Sequence, residues 1–231
     1  MKLFVAGCSF SDYTKVDKVY GEYLSDKLNC EYVHEGAGCG SNYRIWRKIV
    51  GHVLEGNLTS DDLLVVQYTG IDRREFWSAN PPMPMREPYT RIMTQEPSYD
   101  GGSIIRYKWN SHTWQDYPDE KQLFELYEKN FVNPRYEAEC FKVYSTMFQH
   151  FLIANRIKTV FTRVRAWHHD PKSYLPIFNQ YMYNEPEEFM NDKRTWLSLE
   201  DMTHLSQEGH EMYSENLYNH IQSTGILNGM Y

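Results

Sequence analysis

Several absences narrow this sequence before any motif is read. No apolar run approaches the roughly 20 residues a spanning helix requires, and 24% of the 231 residues are charged. A membrane protein is therefore not expected. The opening stretch "MKLFVAGCSF" has one lysine and a short apolar run that ends in Gly-Cys-Ser. That is too short for a secretory core of about 7–15 residues with a cleavage site behind it. The expectation is a cytoplasmic chain, with packaging into a viral particle as the alternative. Cysteine is scarce: Cys8, Cys30, Cys39 and Cys140 include no C-x-x-C pair. This excludes a disulfide framework or zinc ribbon and leaves buried free thiols as the expectation. Positive charge is also short. A net charge of -7 gives no basic stripe for nucleic acid.

Aromatic residues are abundant, at 16% of the chain with 19 tyrosines. Aromatics among polar residues suit sugar faces and interfaces, but their commonest use is the core. "KLFVAG" (2–7), "EYVHEGAG" (31–38), "DDLLVVQYTG" (61–70) and "IKTVFTRV" (157–164) are short apolar runs closed by glycine or polar residues, and they predict buried strands. Between them the spacing predicts helices. One covers 21–29. Another begins at Ser41 and carries two stripes, Ile45, Ile49 and Val53 beside Trp46, Val50 and Leu54. Further helices cover the two segments "DEKQLFELYEKNF" and "PRYEAECFKVYSTMFQHFLIANR". In the second, Phe141, Tyr144, Phe148 and Phe151 are predicted as core. A last helix runs from about Ser206 to Ser223. Alternation of this kind implies an α/β chain with a mostly parallel sheet covered by helices on both faces.

Residues 78–119 interrupt the rhythm. "SANPPMPMREP" cannot be regular structure, because its prolines lack backbone donors. "SIIRYKWNSHTWQDY" alternates like a hairpin around a polar turn. An insertion of about forty residues is longer than a compact domain carries without a purpose.

In parallel sheets ligands bind beyond the C-terminal strand ends. Those ends carry Gly7-Cys8-Ser9-Phe10-Ser11, then Gly36-Ala37-Gly38-Cys39-Gly40-Ser41-Asn42, then Tyr68-Thr69-Gly70-Ile71-Asp72-Arg73. A late loop adds Asp201-Met202-Thr203-His204. In this order the four blocks resemble the SGNH (GDSL-type) hydrolase superfamily, over nearly the whole chain, with "DMTHLSQEGH" as the strongest match. The variant "GCSF" and a third block of T-x-x-x-R-x-E type resemble SGNH-like proteins encoded in phage genomes.

The resemblance implies a single three-layer α/β/α sandwich, SGNH or flavodoxin-like, over 1–231, with 78–119 as an inserted hairpin or lid. It implies Ser9 as nucleophile, His204 as general base and Asp201 as the group that orients the imidazole. A serine hydroxyl needs such a base to attack at neutral pH. Backbone N–H groups of Ser9 and Gly38 would form the oxyanion hole, with Gly38 preferred over Gly40. The expected function is a metal-independent and cofactor-free serine esterase. It would act through an acyl-enzyme on a small-molecule or glycan ester, an O-acyl carbohydrate first among these. A transferase with the same triad is a third reading.

Two positions depart from the family pattern. Cys8 stands where an aspartate is usual, and Ile71 lies near the place of the third-block asparagine. Thr69, Asp72, Arg73 or Asn42 are the candidates to replace that donor. Loss of such a donor typically costs about 2.7–4 kcal/mol of transition-state stabilisation. The rival expectation is therefore a catalytically silent SGNH-fold module that binds a glycan or a protein. Arg73, Trp77, Trp167 and His168 are candidate substrate contacts. For the "RREF" charges (73–76) a structural ion pair is the stronger expectation, and the tryptophans serve equally as anchors for the insertion. "WHHD" (167–170) invites a metal reading, but adjacent histidines point apart and no second ligand cluster accompanies them. No metal site is expected.

Overall fold

The computed structural model describes residues 1–13, 16–38, 40–71, 73–78, 95–97, 103–107, 118–163 and 204–228. Four parallel strands form the main sheet: β1 (Lys2–Gly7), β2 (Glu31–Gly36), β3 (Leu63–Tyr68) and β7 (Lys158–Arg163), in the order β2-β1-β3-β7. Phe4 lies between Val33 and Leu64, and Val65 pairs with Val160. β1 and β3 occupy the centre and bury both faces, which explains why each reads as an unbroken apolar run and not an alternating one.

The pleat sends successive side chains to opposite layers. Phe4, Ala6, Leu64 and Val66 pack under helices α2 (Asn42–Leu54) and α4 (Pro134–Ala154), against Ile45, Ile49, Phe141 and Phe148. Leu3, Val5, Leu63 and Val65 pack under α1 (Tyr20–Leu28) and α5 (Gln207–Thr224), against Tyr20, Leu24, Tyr213 and Leu217. The result is the three-layer α/β/α arrangement. Trp46 and Ile49 are buried as predicted, but Leu54 is 75% exposed. It is the last residue of α2. Tyr144 is likewise exposed, against a prediction of core, and meets Tyr43 edge-on at 5.7 Å.

The insertion departs from the predicted hairpin. It begins at Arg74, where β4 (Arg74–Ser78) starts a small antiparallel sheet with β5 (Gln95–Pro97) and β6 (Ser103–Tyr107), in the order β4-β6-β5. β6 is the central strand, with β4 on one edge and β5 on the other. Both of its ladders are thus taken by upstream segments, and none is left for residues that follow it. Helix α3 (Pro118–Phe131) leads back to the main domain. No helix among the described residues is long and apolar enough to cross a membrane.

The chain steps from β1 outward to β2 and then returns past β1 to β3. The reversal falls between β1 and β3. In an open parallel sheet that is where a crevice forms at the carboxyl ends of the strands.

Candidate active site

Ser9 lies at this reversal point. β1 ends at Gly7, and Ser9–Ser11 form a single 3-10 turn closed by the Ser11 N–H on the Cys8 carbonyl at 2.8 Å. The turn is anchored from below. The buried Ser11 hydroxyl donates to Gln67 Oε1 at 2.6 Å and lies 3.0 Å from the Tyr20 hydroxyl. Gly7 permits this, since a Cβ there would stand 2.2 Å from Ser11 Oγ. Gly40 plays a similar part across the crevice, where a Cβ would stand 3.0 Å from the Gly7 carbonyl. Cys8 is fully buried, so in this chain the position of the usual aspartate is a packing position.

His204 arrives from the other end of the chain. Ser206 caps α5 by accepting the Gly209 N–H at 3.0 Å, and Leu205 is buried in the core. Gln207 then staples the start of α5 to the segment behind the Ser9 turn. Its Nε2 donates to the Lys18 carbonyl at 2.7 Å and to the Tyr23 hydroxyl at 3.1 Å, and its Oε1 accepts the Asp17 N–H at 3.1 Å. One turn later, buried His210 accepts the Tyr20 N–H at Nδ1, 3.1 Å away. With its position so constrained, His204 places Nε2 2.9 Å from Ser9 Oγ. The Phe10 ring packs against the imidazole, with centroids 5.0 Å apart. For Ser9 to donate along this contact, Nε2 must be the unprotonated nitrogen. That is the tautomer a general base requires.

The remaining candidates take varied places. The Gly38 N–H donates to Asp12 Oδ2 at 2.8 Å, and Asp12 Oδ1 lies 3.4 Å from His34 Nε2. His34 Nδ1 meets the Tyr32 hydroxyl at 2.8 Å. Burial raises the Asp12 carboxyl pKa, but hydrogen bonds from His34, Tyr13 N–H and Gly38 N–H outweigh it and hold the group below its usual value. The Asn42 carboxamide clamps the backbone of Thr69: Nδ2 donates to the Thr69 carbonyl and Oδ1 accepts the Thr69 N–H, both at 3.0 Å. In this structure Asn42 therefore joins the start of α2 to the end of β3 and is not turned outward as a donor. Ile71 packs against the core. Arg73 is buried, and the structural ion pair expected of residues 73–76 forms at Glu75, whose Oε1 lies 3.0 Å from Arg47 Nη2. Trp77 lies in β4 opposite Ile104. Asp201, Asp72, Trp167, His168 and the rest of the "WHHD" motif lie outside the described residues.

Sequence reasoning missed Ser11, Gln67, Tyr20, Gln207 and His210. Each is an ordinary polar or aromatic residue in its own element, and each acquires its role only from a partner far away in the chain. His210 alone left a trace, as a histidine on the face of the last helix that packs inward.

No protein-family model and no curated protein matches the sequence. Solved structures do. The chain is similar to a protein of the G-D-S-L lipolytic family from Desulfitobacterium hafniense, at 12% identity and a TM-score of 0.54 over 95% of this chain and 98% of that one. It is similar also to a psychrotrophic esterase from Pseudoalteromonas sp., solved with monoethylphosphonate as inhibitor, at 11% identity and a TM-score of 0.52 over 96% and 97%. Its fold is thus that of the SGNH, or G-D-S-L, lipolytic proteins.

Proposed function

We propose that the protein is a serine esterase of the SGNH kind, in which Ser9 attacks a carboxylic ester and His204 takes the hydroxyl proton. The observation that carries this reading is the 2.9 Å contact between Ser9 Oγ and His204 Nε2, two residues 195 positions apart. Asp201, three residues before His204, is the proposed partner for Nδ1. It would hold the required tautomer and stabilise the imidazolium that forms. The Ser9 oxygen adds to the ester carbonyl, the alcohol leaves with the proton returned by His204, and water then releases the acyl group by the same steps in reverse order.

For the developing oxyanion we assign the Ser9 N–H, at the N-terminal end of its 3-10 turn, together with the Gly38 N–H. In this structure the Gly38 N–H donates to Asp12 Oδ2, so it serves the oxyanion only where that carboxylate gives way. Thr69 and Asn42 then act through each other, as the clamp that fixes the third strand end beside the site. The proposed substrate is an O-acyl carbohydrate or a related small ester.

The test is hydrolysis of 4-nitrophenyl acetate and labelling by a fluorophosphonate probe. Ser9→Ala should lower turnover on the order of 10³-fold or more and abolish labelling. Turnover unchanged in that variant would refute the reading. A silent binding module is favoured by one feature, the apolar Ile71 at the place of the usual asparagine. Folded wild-type protein that neither turns over nor labels would establish that alternative.

A further inference from the structure

Helix α4 is apolar on two sides. Phe141, Phe148 and Leu152 face the sheet and are buried in the core. The opposite side of the same helix carries Tyr136, Cys140, Val143, Met147, His150 and Ala154. Tyr136, Val143 and Met147 are 64%, 53% and 61% exposed, and Cys140 is half-buried. A surface helix ordinarily turns charged and polar residues to water on this side. Tyr144 and Ile153, on the two flanks, are exposed as well, and so is Tyr43 of α2 beside Tyr144. Single exposed apolar residues are commonplace, but a contiguous patch marks an interaction surface.

The spacing of the patch indicates what covers it. From Tyr136 to Ala154 the steps are four, three, four, three and four residues. That is the a/d repeat of a helix that packs lengthwise on another helix. The seam is also complementary to itself. When it is laid antiparallel on a second copy about a two-fold axis, Val143 covers Met147 and Cys140 covers His150. The large Tyr136 falls on Ala154, the smallest residue of the seam, and every contact occurs twice. Glu139, exposed beside Cys140, then falls next to His150 of the second copy, an acid against a base. Opposed helix dipoles favour the same direction. A parallel arrangement would instead stack His150 on His150 and set Glu139 against Tyr144.

We propose that the protein forms a two-fold symmetric dimer in which the outer faces of two α4 helices pack antiparallel, the partner being a second copy of this chain. An isologous contact of this kind closes on itself and requires no other surface. The helix is 21 residues long, about 30 Å. A seam of that length lies at the small end of specific interfaces, so association falls in the micromolar range.

Sedimentation velocity of the full-length protein across that range should show reversible monomer–dimer exchange, and the thermal midpoint should rise with concentration. Met147→Glu brings two carboxylates to the two-fold axis and should weaken association by tenfold or more. Its helix content and its midpoint at low concentration should stay unchanged, because the residue is exposed in the single chain. Glu139→Lys should weaken the dimer, and adding His150→Glu should restore it.

Direction is read by oxidation with diamide. His150→Cys should cross-link to native Cys140 of the second copy and run as a dimer on a non-reducing gel. Within one chain the two positions lie about 15 Å apart along the helix, too far for a disulfide. Neither the wild type nor His150→Cys/Cys140→Ser should cross-link. A monomer at every concentration would overturn the proposal and give the face to another occupant, a different protein or another segment of this chain. A dimer indifferent to Met147→Glu, or a wild-type dimer whose cross-link is lost in Cys140→Ser, would overturn the antiparallel α4 contact.

Discussion

The backbone N–H of Tyr20, at the start of α1, donates to Nδ1 of His210, in the first turns of α5, at 3.1 Å. A first-turn helix donor ordinarily finds a side chain of its own cap or water. Here it finds an imidazole 190 residues away, and the bond requires that nitrogen to be unprotonated.

Protonation of His210 should therefore act against folding. Burial, and to a lesser degree the neighbouring charge of His204, lower its pKa to about 4 from an ordinary 6.5. Between those values the unfolded chain binds a proton that the folded chain excludes, so stability is full above about pH 6.5 and falls as pH drops toward 4. The loss across that window is on the order of 3 kcal/mol. Urea denaturation at pH 7 and pH 5 should register it. His210→Asn, which retains an acceptor but cannot titrate, should flatten the slope. An equally steep slope in the variant would assign the effect to other groups.

Gly7 and Ser11 should prove coupled. Gly7→Ala places a Cβ 2.2 Å from Ser11 Oγ and 3.1 Å from Gln67 Cβ. The expected cost is about 1–3 kcal/mol for overpacking, with loss of activity because the turn carrying Ser9 must shift. Adding Ser11→Gly removes the nearer obstacle, so the double variant should be more stable than the sum of the single effects. A double-mutant cycle by thermal or urea denaturation measures this, and strict additivity would contradict it.

Asn42→Ala should destabilise the protein by about 2–4 kcal/mol, since it leaves both the N–H and the carbonyl of buried Thr69 unsatisfied. Asn42→Asp should also fail to restore the clamp, because its carboxylate would face the Thr69 carbonyl without a donor. Thermal midpoints of the two variants provide the check.

Gln207→Ala removes the staple between α5 and residues 17–18. All of these contacts lie near the surface and not in the core, so the loss of stability should be small, about 1 kcal/mol. On the proposed esterase function, turnover of 4-nitrophenyl acetate should fall further than stability, because His204 precedes the staple by three residues. The measurement is kcat beside the thermal midpoint, and a loss of kcat no greater than the change in folded fraction would remove Gln207 from the positioning role.

How much of this was legible beforehand depends on the range of the interaction. The parallel strands and their helices were readable because each reflects local pattern: β1 and β3 are continuous apolar runs, and Ile45 and Ile49 recur one turn apart. Ser9 and His204 were readable only as a pair of blocks that resemble one family in order and type. The pairing of β6 was not. Its alternating residues suit a strand equally well with partners before or after it, and local pattern cannot choose between them.

By itself the sequence determined the layers, because burial on two faces or one is written into residue periodicity. Tertiary structure alone decided which polar atoms meet. Ser11 on Gln67, Asn42 on Thr69, Gln207 on Lys18 and His210 on Tyr20 are bonds between side chains and distant groups whose identities are unremarkable in isolation. Their worth depends on removal from water and on direction, and neither exists until the sheet has closed. The same is true of Arg73, an ordinary cation in the linear chain that becomes buried only once the fold has packed around it.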